Sequence, residues 1–326
     1  MNKHEMLYLY DVQNSNPNGN VLDENRPRYD YDRRLAEVSD VRVKRTLRDY
    51  LFEFHGYNGE NGKDIYCRTK YNDDGTVYTS KDRSQDYENN FDALLNSCID
   101  ARYFGCVAIT EEENKPAEET EESLAEEAPK GKKKNAKKAV STTKGSMKLI
   151  GPIQVGTGKS LHETLIETIQ GTGAFASGEN KNQQTFRTEH VLPYALIGHD
   201  IVLCNKNAEK SKLTDEDVDL FKNALWESTK NINTRTKFGQ MPQLFLDIEY
   251  KDSFHIGRLR DKISVISNGM PETSLRSTKD YVLDVTELID ALNENDTKIN
   301  KISFRVNKSL KTVVNGNEVD LTTYNR

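Results

Sequence analysis

The chain has 326 residues, 35% hydrophobic and 30% charged, with a formal net charge of -6 and a mean hydropathy of -0.79. It is long enough for about two domains and a substantial core. No apolar run approaches the ~18 residues of a membrane helix, and the start, MNKHEMLYLYD, lacks the apolar core and cleavage site of a secretory leader, so a cytoplasmic protein is expected. A globally basic field is excluded, so any binding to a polyanion has to rest on local basic stripes.

In chain order, an apolar strand is expected at Glu5–Val12, followed by a turn-rich loop, NSNPNGN, and then DENRPR (Asp23–Arg28). Ser39–Gly56 reads as a helix with Ser39 as N-cap and Gly56 just past its end. Val43, Leu47, Tyr50, Leu51 and Phe54 share one face of it, while Arg42, Lys44, Arg45 and Arg48 fall on the other. Cations near a helix N-terminus oppose the macrodipole. Either they form a solvated face or a polyanion compensates them.

Ile65–Thr79 reads as a hairpin turning at Asp74-Gly75, and Tyr87–Tyr103 as a second helix. Residues 111–129 then hold nine Glu and one Lys, and residues 130–148 hold eight Lys and no acid. Between Glu111 and Gly145 the only large apolar residues are Leu124 and Val140. Such a stretch cannot bury enough surface to offset its ordering entropy, so 111–145 is expected to be a disordered charged insertion.

Met147–Val155 reads as a strand, Gly156–Glu189 as a Gly-rich polar stretch and His190–Asn205 as strand again. A third helix begins at Thr214 (N-cap) with Asp217 three residues on, and Leu213 is placed to staple against Val218. Gln243–Tyr250 is a further strand, and Asp280–Val306 a strand–helix–strand tail. The order strand–helix–strand, strand–helix–strand is that of an α+β, ferredoxin-like or RNA-recognition sheet carrying long insertions.

Several chemical motifs fail. GTGKS (Gly156–Ser160) resembles the end of a phosphate-binding loop, but Ile153 stands where that motif needs its first Gly. The four cysteines (Cys67, Cys98, Cys106, Cys204) form no C-x-x-C pair, and the six histidines show no ligand spacing. Free thiols and neither metal nor cofactor are expected. Asp23 and Glu24 share their loop with Arg26 and Arg28, and salt bridges explain them as well as catalysis does.

The joint order of YDVQNSNPNGN…DENRPR, SDVRVKRTLRDYL, GPIQVGTGKSLHET and ALWESTKNINTRTKFGQMP–LFLDIEYKDSFHIGRL resembles the backbone subunit of CRISPR Cascade complexes. It is most similar to the type I-B (Csh-type) branch of the RAMP superfamily. The matching blocks lie at roughly 5–55, 98–106, 147–162, 186–200 and 213–259. The resemblance implies one RNA-recognition palm over 1–326, a finger-like insertion at 57–110 and an extended thumb hairpin at 171–190. It also implies a non-catalytic subunit whose copies stack along CRISPR RNA and present it to target DNA. Its implied partners are neighbouring copies, a 5′-handle-capping subunit, large and small subunits, and a recruited helicase-nuclease. The charge-segregated insertion is a departure from that pattern.

A guide whose sequence varies must be held through phosphates, because phosphate contacts position without reading bases. The expected donors are Asn18, Arg26, Arg28, Arg42, Lys44, Arg45, Arg48, Gln154, Lys159, Ser160, His162, Lys181, Arg187, Arg235 and Lys237. Gln183 and Gln184 accompany Lys181 in the thumb, and the Asn18-Gly19 turn is expected to bring backbone amides close to RNA. Phe175 and Phe186 either stack on a splayed base or pack against a neighbouring subunit. Two readings from other classes stand beside this one. In some type III relatives an aspartate after strand one cleaves target RNA, and Asp23 lies in the comparable loop. A plain oligomeric scaffold would leave the basic helix face unexplained.

Overall fold

The computed structural model describes residues 1–111, 144–172 and 186–326. The charged insertion expected at 111–145 falls almost wholly outside the described residues, as do Phe175, Lys181, Gln183, Gln184 and the side chain of Phe186.

The first strand, β1 (Lys3–Ser15), is buried at every position from His4 to Val12. A strand covered on both faces needs apolar residues at successive positions, and MLYLYDV supplies them. The short strands β2 (Gly19–Asn20) and β3 (Arg26–Pro27) pair with each other, and β4 (Tyr29–Asp30) pairs with β5 (Leu35–Val38). Helix α1 (Asp40–His55) is capped as its sequence indicates: Ser39 Oγ accepts from Arg42 N, and Gly56 closes the end at φ +70°. Val43, Leu47, Tyr50 and Leu51 are buried, but Phe54 is exposed and stacks on Tyr50 at 4.9 Å. It sits in the last turn of α1.

Residues 57–104 depart most from the sequence reading. Of the hairpin expected at Ile65–Thr79 the outer part forms: it turns at Asp74-Gly75 as expected, with Asn72 N donating to Thr76 O at 2.8 Å and Tyr78 N to Lys70 O at 2.9 Å around the bridge Tyr71↔Val77, but residues 65–67 form no ladder with the opposite arm. Side chains take the ladder's place: the Asp100 carboxylate accepts from Tyr66 N at 2.6 Å and Cys67 N at 3.1 Å, and Arg83 donates to the carbonyls of Ile65 and Tyr66. The helix expected at Tyr87–Tyr103 is instead α3 (Phe91–Ser97) and α4 (Ile99–Phe104), preceded by α2 (Ser80–Gln85). Cys98 between them is extended, because the Asp64 backbone inserts there, donating to Ser97 O and accepting from Ile99 N.

Strand β6 (Gly105–Glu111) pairs with β7 (Lys144–Ile150). The strand expected at Met147–Val155 breaks after β7 at Gly151-Pro152 and resumes as β8 (Ile153–Val155). A Cβ on Gly151 would meet Phe104 C at 2.1 Å. Then follow β9 (Gly158–Ser160), β10 (Glu167–Thr172), β11 (Phe186–Leu203) and α5 (Asn205–Ser211). Helix α6 (Asp215–Asn231) starts with the expected Thr214/Asp217 capping box, with Leu213 and Val218 buried in one cluster. The chain continues through β12 (Met241–Tyr250), β13 (Ser264–Ser267), β14 (Tyr281–Asp284), α7 (Thr286–Glu294), β15 (Ile299–Val306), β16 (Thr312–Val314) and β17 (Asn317–Glu318).

The main sheet runs β15-β12-β1-β11-β9-β5-β4, with β8 and β10 also on β11, and its pairings are antiparallel. The path β1, α1, β8–β9, β11, α6, β12 therefore forms the β-α-β-β-α-β order expected, with β1 and β11 central. Alternate β1 side chains serve two cores. Met6, Tyr8, Tyr10 and Val12 pack with α1 and α6. Leu7 and Leu9 pack on the opposite face with Leu283, Leu288 and Leu292 of β14 and α7. The expected tail is thus divided: β15 joins the main sheet, and β14 belongs to a second sheet, β13-β14-β16-β17. No helix among the described residues is long and apolar enough to cross a membrane.

Candidate nucleic-acid interface

Where β1 ends, two loops and the start of α1 meet. Asn16 N and Ser15 Oγ both donate to Thr236 O, at 2.7 and 3.0 Å, and Gln240 Nε2 donates to Ser15 Oγ at 3.0 Å. These bonds tie the loop between α6 and β12 to the end of the central strand. On the other side Asn18 Oδ1 accepts from Ser39 N and Ser39 Oγ, fixing the start of α1 to the loop after β1. Asn18 is buried in that role and presents no side-chain oxygen outward. Gly19 is also not the positive-φ turn expected: it lies in β2, where a Cβ would meet Asn25 Oδ1 at 2.0 Å.

Arg42 and Lys237 approach each other at this corner. Arg42 is half-buried over a small cavity of about 20 Å³ lined by Tyr8, Tyr10, Pro17 and Gln240, and its Nη2 donates to Thr46 Oγ1 at 2.7 Å. Burial, and then the Arg42 guanidinium, pull the Lys237 ammonium below the ordinary lysine value. Burial also lowers the Arg42 value. Neither cation forms an ion pair among the described residues. Asp49, itself paired with Arg45, partly offsets that lowering at Arg42, and the corner keeps two half-buried cations that a bound anion would neutralise.

The other expected donors sort by what already holds them. Arg28 is exposed and unpaired among the described residues, while Arg26 lies 3.9 Å from Asp23 and 3.7 Å from Glu24. Lys44 pairs with Asp40 at 2.8 Å, and exposed Arg45 with Asp49 at 2.6 Å. Arg48 is committed elsewhere: it holds Asp100, only 1% exposed, at 2.7 Å, and its guanidinium lies over the Phe104 ring. Arg187 and Arg235 converge on Glu189, the latter at 2.6 Å.

The second group, on β8 and β9, lies on a different part of the sheet. Lys159 pairs with Glu37 at 2.8 Å, and Gln154 donates to Gly151 O. Ser160 and His162 do not fit the donor role expected of them. Both are buried; Ser160 Oγ accepts from Ala36 N and donates to His162 O, and His162 Nε2 accepts from Leu196 N. Their polar atoms hold strands together. Asp23 is half-exposed beside Arg26, and His190 of β11 comes within 3.8 Å of Glu24, a neighbour that loop sequence alone does not reveal.

Sequence reasoning passed over Phe238, which is 72% exposed. The signal was its setting in Lys237-Phe238-Gly239, a cation and a positive-φ glycine around one aromatic.

A family model described as "CRISPR-associated protein Cas7" matches residues 2–286. A protein of Haloferax volcanii, "CRISPR-associated protein Cas7", is 32% identical over 303 residues, spanning 90% of this chain and 83% of that one. The chain belongs to the Cas7 family. Among solved structures, it aligns with a chain of "CRISPR RNA-guided surveillance complex, pre-nicking" at a TM-score of 0.51 and 10% identity, covering 98% of this chain and 95% of that one. That likeness is one of fold: the large antiparallel sheet built on β1 and β11 is an arrangement this Cas7 chain shares with it.

Proposed function

We propose that this Cas7 chain is a non-catalytic backbone subunit of a type I-B CRISPR RNA-guided complex. It polymerises along CRISPR RNA through phosphate contacts and presents the guide for pairing with target DNA. The β-α-β-β-α-β sheet serves as the palm, residues 57–110 as the finger region and 171–190 as the thumb. Its partners in this reading are neighbouring copies, the 5′-handle-capping, large and small subunits, and indirectly a helicase-nuclease, all in the cytoplasm. The observation that carries the reading is the pair Arg42 and Lys237, both half-buried, neither in an ion pair among the described residues, with the Arg42 charge lowering the Lys237 value. A phosphate relieves that repulsion whatever base follows it, as sequence-blind binding requires.

The test is binding of two unrelated single-stranded RNAs across a salt series. Arg42→Gln and Lys237→Gln are each expected to weaken both RNAs equally, by about 1 kcal/mol, and to reduce the salt slope by about one. Unchanged affinity, or an effect on one sequence only, would overturn it. Asp23 is the residue to watch for the enzymatic alternative. Guide-matched RNA is expected to stay intact with divalent metal present; regular cuts that vanish in Asp23→Ala would make the chain a ribonuclease.

A further inference from the structure

Phe238 is an aromatic ring placed in solvent by a loop that is itself held firmly. Thr236, two residues before it, accepts two hydrogen bonds from the end of β1, and Gln240, two residues after it, donates a third. Lys237 N closes a turn onto Thr234 O at 3.1 Å, and Gly239 at φ +76° turns the chain back toward β12. The backbone on both sides is therefore fixed, yet the ring is 72% exposed and meets no ring or cation among the described residues. Phe238 is thus held out from the surface by an anchored backbone.

Its neighbours indicate what the ring meets. Lys237 is adjacent in the chain, one Cα step of about 3.8 Å away, and Arg42 faces Lys237. The corner thus combines two half-buried cations, neither in an ion pair among the described residues, with one preset aromatic face. A positively charged seat with an aromatic beside it is how single-stranded nucleic acid is held without reading sequence, since every base offers a π-face.

We propose that Phe238 is a base-stacking residue, receiving one unpaired base of the strand whose phosphate sits on Arg42 and Lys237. This rests on the reading of the corner as a phosphate seat, and it adds that the contact includes a base as well as the backbone. The loop's anchoring means the ring is positioned before RNA arrives, so little ordering cost falls on binding.

The full-length protein tests this with two probes of equal length, an oligouridine and an abasic ribose-phosphate strand. Phe238→Leu keeps apolar bulk and removes the aromatic face. It is expected to weaken oligouridine binding at least about fivefold, to leave abasic-strand binding and the melting temperature unchanged, and to be rescued by Phe238→Tyr. Arg42→Gln is measured alongside and is expected to weaken both probes. If Arg42→Gln weakens both while Phe238→Leu matches wild type on both, the stacking proposal is overturned and the phosphate seat stands. If Arg42→Gln changes neither probe, the phosphate reading itself fails. Equal weakening of both probes by Phe238→Leu, or a loss of self-association without RNA, makes the ring a structural or protein-docking group and also overturns stacking.

Discussion

Arg42 and Arg48 lie six positions apart on α1, and on a helical wheel they belong to one basic face. The fold gives them opposite settings. Arg48 reaches a buried carboxylate, Asp100, which also accepts two backbone N–H groups and so pins residues 66–67 against α4. Arg42 has a hydroxyl, Thr46, as its hydrogen-bond acceptor and acts on Lys237, and the acid that reaches it, Asp49, is already paired with Arg45. A stripe of cations in a sequence is therefore not a uniform binding surface. What distinguishes its members is whether the tertiary structure has already neutralised them.

The largest effect follows from the neutralised side. Asp100→Ala leaves Arg48 half-desolvated and strips two amides of their acceptor, so a loss of about 3–5 kcal/mol is expected, read as a fall in the urea midpoint. Arg48→Ala should fall in the same class. If either variant keeps wild-type stability and loses only RNA, the contrast with Arg42 collapses and Arg48 rejoins the interface.

A smaller loss is expected at Gly158, in the sheet beside that face. A Cβ there would meet the His199 ring at 2.3 Å, and that ring is fully buried and stacked on Tyr10. Burial pushes His199 down to about 4, so the ring stays neutral near pH 7 and cannot leave for water by charging. Gly158→Ala should cost about 1–3 kcal/mol in thermal stability and leave the salt dependence of RNA binding as it was. A salt slope altered without loss of stability would place this strand in the interface.

Lys237 carries the opposite sign. Its folded value lies below the unfolded 10.5, so holding the charge costs stability at neutral pH, and the cost disappears as pH rises from the folded value to 10.5. Lys237→Gln is expected to stabilise the free protein by a few tenths of a kcal/mol, since the group is half-exposed and partly screened, and to flatten that alkaline slope while weakening RNA binding. Destabilisation by Lys237→Gln would show that Lys237, like Arg48, is structural. The least effect is expected from replacing 112–143 with a short Gly-Ser link. That stretch offers only Leu124 and Val140 as large apolar residues, so melting temperature and RNA affinity should hold.

Legibility differed sharply between regions. Both ends of α1 and the start of α6 could be read because caps are local: Ser39, Gly56 and the Thr214/Asp217 pair act within one turn. Residues 57–104 could be read only at the Asp74-Gly75 turn, because the Asp100 and Arg83 side chains and the Asp64 backbone satisfy backbone groups 17 to 35 positions away. Those distant groups shortened the hairpin to residues 70–78 and broke the helical pattern at Cys98. Ser160 and His162 looked like donors on a loop, and only the sheet shows that their hydrogen bonds are spent on Ala36, His162 itself and Leu196.

Residue order alone determined the family, the succession of strands and helices around β1 and β11, and the candidate cations, because periodicity, caps and blocks of motif are properties of neighbours in the chain. Spacing along the helix already pairs Lys44 with Asp40 and Arg45 with Asp49, but the availability of Arg42, Arg48 and Lys237 was decided only in three dimensions. Asp100 comes to Arg48 from 52 residues away, while the loop carrying Lys237 and Phe238 is brought to the end of β1 by Thr236 and Gln240. Charge availability depends on distance and burial, and neither is a property of position along the chain.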